Sequence, residues 1–143
     1  MNLRMLLLPF SLIVVVAVSG CATTNQRILD SDGQTQVQKR SYQTRIFDTN
    51  NKEVVMRGVI STLQDLSFVV EKADFALGAV TGTKFAQGQV IRISVTVRPK
   101  GATQMVVRAT AQFGVQPIED PKSYQDFFAS LEKSLFLTAQ LGE

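Results

Sequence analysis

The sequence predicts an α+β domain: one antiparallel sheet with two helices packed on one face, in the order β-α-β-β-β-α. Three observations carry that class. Two alternating runs between Val90 and Phe113 oppose each other across Pro99-Lys100-Gly101. Val55, Val59, Leu63 and Leu66 recur at helical spacing, and a second apolar stripe, Tyr124, Phe127, Phe128, Leu131 and Leu135, follows Asp120-Pro121.

Taken in order, the first element is a strand in SYQTRIFDT, where Tyr42, Thr44 and Ile46 alternate with Gln43, Arg45 and Phe47. A helix follows. Asn50-Asn51-Lys52-Glu53 has the form of a capping box with Asn50 as the cap, and Ile60 and Met56 widen the buried stripe behind it. FVVEKADF is the second strand, with Phe68, Val70 and Lys72 on one side and Val69, Glu71 and Ala73 on the other; either valine face can be the buried one. The glycines of LGAVTGTKFAQGQ lack the Lys and hydroxyl order of a phosphate loop, and the segment reads as a glycine-loosened hairpin or mobile loop.

The hairpin from Val90 to Phe113 is the clearest element. Ile91, Ile93, Val95 and Val97, joined by Met105, Val107, Ala109, Ala111 and Phe113, form a dry face. Val90, Arg92, Ser94, Thr96 and Arg98, with Val106, Arg108, Thr110 and Gln112, form a wet one. One dry and one wet face is the pattern of a sheet whose helices lie on a single side. The closing helix opens with an aspartate cap and proline at its first position, where the missing N–H costs nothing.

Ahead of this domain stands a different kind of segment. Arg4 precedes an apolar run from Met5 to Val18, then Ser19-Gly20 and the sole cysteine, Cys21. A short basic start, an apolar core and small residues are the order of a removable export signal. Val18-Ser19-Gly20-Cys21 resembles the lipobox of bacterial lipoproteins. That resemblance implies that Cys21 receives a diacylglyceryl group and becomes the first mature residue, and Ala22, standing where an aspartate commonly signals inner-membrane retention, implies carriage to the periplasmic face of the outer membrane of a Gram-negative host. Residues 1–20 are then the signal peptide, 21–38 the lipidated cysteine and a polar, flexible tether, and 39–143 a single α+β domain.

Composition narrows the chemistry. Loss of Arg4 with the leader lowers the formal charge of +3 by one, too small an excess to mark a nucleic-acid binder. With no histidine in 143 residues, the usual general base and commonest metal ligand are missing. Ser123 and Ser130 near Lys122 and Lys133 read as helix surface, and no pair of carboxylates is brought around a cleft. The expectation is a protein without catalytic residues, cofactor or metal. Behind a lipobox and a polar tether, the element order from Tyr42 to Leu141 resembles, in topology alone, the helix-grip or TATA-binding-protein-like modules of some envelope assembly lipoproteins. No residue role follows from it.

The remaining candidate is the wet sheet face. Arg45, Arg92 and Arg108 are expected to gather there among Ser94, Thr96, Thr110 and Gln112, as a mildly positive surface suited to an acidic protein, a lipid phosphate or a glycan; docking onto an envelope protein is the preferred reading. The alternative is a periplasmic module that binds a lipid or glycan through the Gly82 to Gly88 loop and a groove beside the helices.

Overall fold

The structure is a computed structural model that describes residues 35–141. Cys21, the leader and the tether up to residue 34 lie outside the described residues. The elements run α1 (Gln36–Gln43), β1 (Thr44–Phe47), α2 (Lys52–Asp65), β2 (Val69–Asp74), β3 (Ala79–Ala86), β4 (Gln89–Lys100), β5 (Gln104–Phe113), β6 (Gln116–Pro117) and α3 (Pro121–Leu141). The expected β-α-β-β-β-α order with two helices is therefore corrected. Among the described residues six strands form one antiparallel sheet in the order β1-β5-β4-β3-β2, with β6 beside β5, and three helices accompany it.

Besides the two-residue β6, three local features depart from the expected reading. The first is α1, which takes Tyr42 and Gln43 out of the expected strand. It starts on a capping box: the Gln38 N–H donates to Thr35 Oγ1 at 3.2 Å and the Thr35 N–H to Gln38 Oε1 at 2.9 Å. The second is β3, in the segment expected to be a glycine-loosened hairpin or mobile loop: it is the hairpin, with a strand the expected order did not count. Gly82 lies within that strand because a Cβ there would come within 3.1 Å of the Val69 carbonyl oxygen. Gly88 does serve a turn: with Gln87 at φ 51° and Gly88 at φ 78°, the pair joins β3 to β4 in the doubly left-handed form that two-residue hairpins prefer. The third is a bulge at Glu71, where the β2–β3 register shifts between Val70 and Lys72. Val70 packs on the core, whereas Lys72 falls on the other face, so the period of two does not run through the strand.

The hairpin between β4 and β5 follows the predicted alternation, with Val95 opposite Ala109 and Val97 opposite Val107. These side chains are buried with Val55, Met56, Val59 and Leu63 of α2 and Tyr124, Phe127, Phe128 and Leu131 of α3. The α2 cap is Asn51, one residue later than predicted; its side chain accepts from the Val54 N–H at 3.1 Å, and Glu53 pairs instead with Arg57. Asp120 caps α3 as expected, accepting from the N–H groups of Lys122 and Ser123.

Helix α1 is held by side chains that carry charge and hydroxyls rather than by an apolar stripe. Lys39, only 6% exposed, reaches Glu119 Oε1 at 2.6 Å. The ring of Tyr42 stands 5.4 Å from that of Tyr124. Burial and the nearby Glu119 carboxylate both push the Tyr42 phenol above its ordinary pKa. The Tyr124 hydroxyl in turn donates to the Ile118 carbonyl at 2.7 Å and accepts from the Ala111 N–H at 3.1 Å, joining helix, sheet and the β6 connection.

Candidate functional site

Residues directly opposite each other in an antiparallel pair share a face, so strand register decides which arginines meet. Thr96 stands opposite Arg108, which in turn stands opposite Thr44; Arg98 is opposite Val106, Arg92 is opposite both Thr83 and Gln112, and Ser94 is opposite Thr110. All of these lie on the face away from the core. Arg92 and Arg108 thus occupy the expected face, and Arg98, which the sequence placed in the same alternation but outside the expected trio, belongs with them.

Arg45 does not. It is opposite Val107, a core residue, and therefore lies on the helix side. Its guanidinium stands 5.4 Å over the Phe128 ring and its Nε lies 3.9 Å from Glu132. The signal was present: Arg45 has the parity of Phe47, which packs on the core.

The center of the open face is a shallow depression of about 420 Å³ lined by Thr44, Ser94, Thr96, Thr110, Val106, Arg98 and Arg108. Its chemistry is that of donors. Two guanidinium groups supply fixed positive charge and forked N–H groups, while four hydroxyls can donate or accept. Arg108 is half-buried between Thr44 and Thr96, and its Nε is withdrawn from water without a hydrogen-bond partner among the described residues. With two guanidinium charges among hydroxyls, the depression favors a carboxylate or other anionic acceptor, met by Arg98 and the accessible part of Arg108.

Other candidate positions have structural tasks. The Ser123 hydroxyl donates to Asp120, the Ser130 hydroxyl donates to the Asp126 carbonyl, and Lys122 pairs with Asp126 at 2.6 Å. Residues 82–88 are strand and tight turn, the hairpin rather than the mobile loop of the two expected forms. A crevice of about 280 Å³ lies beside the helices, between Leu66 and Phe68, Ile91 and Ile93, and Tyr124 and Phe127. Lys84 extends along it, 4.5 Å over the Phe68 ring and 3.4 Å from the Leu66 carbonyl oxygen. Among the described residues no group of three or more acidic or cysteine side chains is placed to hold a metal.

Compared with known proteins, the chain matches no protein-family model and no curated protein.

Proposed function

We propose that this chain is a noncatalytic lipoprotein of the bacterial envelope, anchored through Cys21 to the periplasmic face of the outer membrane, whose open sheet face docks an acidic segment of a partner protein in a membrane-associated assembly. The address rests on the Val18-Ser19-Gly20-Cys21 lipobox behind an apolar leader. One observation supports the docking surface above the rest: Arg108 is held half-buried among threonine and serine hydroxyls, its Nε unpartnered, with Arg98 lining the same depression. The helices among the described residues lend core side chains or contacts to the opposite side, so they leave this face open to an extended acidic segment.

The anchor and the docking face are tested separately. Intact-mass measurement of the membrane-extracted protein reads the diacylglyceryl adduct on Cys21, and Cys21→Ala is expected to leave unprocessed precursor; a mature protein with an unmodified cysteine contradicts the anchor. Arg98→Glu reverses an exposed charge of the depression at little cost to folding, and Arg108→Gln removes the half-buried one. Loss of partner capture in both variants, at unchanged melting temperature, is the expected result. Unchanged capture removes the open face from the proposal.

A further inference from the structure

The two rows of side chains nearest the β3–β4 turn differ from the rest of the open face. Outermost is the cross-strand pair Phe85 and Val90, 75% and 43% exposed. Behind it runs a row in which Val69, Thr83, Arg92 and Gln112 stand opposite one another, with Val69 70% exposed at the sheet edge. The turn that follows β5 joins this end: the Gly114 N–H donates to the Val90 carbonyl at 2.8 Å, which sets Val115, 88% exposed, beside the start of β4. Four large apolar side chains thus crowd one end of the sheet and are open to water. Scattered exposed valines need no explanation, but a cluster of this kind marks a contact surface.

Because β1 is antiparallel to β5 and begins opposite Arg108, the residues before Thr44 continue past Arg108 on the Phe113 side, where Gln43 Nε2 lies 3.5 Å from the Tyr124 hydroxyl that holds Ala111 and Lys39 is tied to Glu119. The fourteen residues from Cys21 to Gln34 reach at most about 50 Å when extended.

We infer that this end, with Phe85, Val90 and Val115 foremost, is a membrane-docking tip that enters the interface of a phospholipid bilayer. The inference rests on the anchored reading for what brings the domain to a bilayer, and on the ordering of the rows for the contact itself. Successive rows on one face of a strand are about 7 Å apart. When Phe85 and Val90 lie at the boundary of the acyl chains, Arg92 therefore stands level with the headgroups, where a guanidinium pairs with phosphate. Glu71, which accepts from the Thr83 hydroxyl at 3.0 Å, offsets part of that charge. Entry is accordingly driven by the apolar side chains and does not require anionic lipid.

The absence of tryptophan from the sequence makes the test direct. The full chain carrying Phe85→Trp is reconstituted into phosphatidylcholine vesicles containing brominated acyl chains, beside a chain carrying Phe75→Trp in the turn at the far end of β2. Trp at 85 is expected to shift to the blue and to lose more than half its emission to the quencher, with Trp at 75 little changed. Equal quenching at both positions, or none at 85, overturns the proposal, as does protection of position 85 by crosslinking to a protein or to the chain's own leader in place of lipid. Intact mass of the same sample reads modification of Cys21, so failure of the anchor is told apart from failure of the tip. Melting temperatures confirm that both variants fold.

Discussion

Single atoms show where this domain favors packing and where it keeps polarity for another use. Thr62 sits in α2 at 1% exposure with its hydroxyl unpartnered among the described residues. Thr62→Val keeps the shape and removes the stranded dipole, and is expected to stabilize by about 1 kcal/mol in denaturant melts. Arg108 presents the same defect at Nε on the opposite side of the sheet, in a half-buried side chain that lines the open depression. The two atoms look alike in isolation; one lies in the core and the other in a polar face. Asp120 is a third case. The Ser123 hydroxyl, followed by the N–H groups of Ser123 and Lys122, holds its carboxyl below the ordinary value of 3.8. A depressed carboxylate contributes stability that is fully present above the unfolded-state pKa and is lost as pH falls through the folded one. The melting temperature of the wild type is thus expected to fall in acid below about pH 4 more steeply than that of Asp120→Asn, which has no such proton to take up.

At the scale of elements, the segments legible in the sequence are those whose periodicity coincides with burial. β4 and β5 alternate without interruption, and α2 and α3 carry continuous stripes into the core. Helix α1 was not legible as a helix, because QVQKRSYQ offers little apolar surface and its contacts lie far along the chain at Glu119 and Tyr124. Its Thr35-x-x-Gln38 box was the one local sign. Strand β3 was obscured by Gly82, which suggests looseness in a sequence and in the fold marks close approach to β2. The Lys39–Glu119 pair fixes α1 more than its own sequence does. Lys39→Ala leaves Glu119 part-buried and uncompensated, and is expected to cost about 2–3 kcal/mol by chemical denaturation. Lys39→Met combined with Glu119→Leu, which removes both charges, is expected to recover most of that loss.

At the scale of the described domain, the helices pack against one face of the sheet and leave the center of the other to arginine and hydroxyl side chains. The identity of that open face was legible from alternation alone, apart from Arg45, whose parity with Phe47 assigns it to the helices. Which of its arginines lies half-buried, and which apolar residues crowd its end, was not legible, because both depend on register between strands. The proposed function rests on the open face receiving an acidic partner. Its most direct measurement is site-specific photocrosslinking in intact cells, with the photoreactive residue at Thr96 in the center of the depression and, for comparison, at the exposed Ser61 of α2. A discrete protein adduct at Thr96, missing at Ser61 and abolished by Arg108→Gln, is the predicted result; no adduct at Thr96, or the same adducts at both positions, would contradict it.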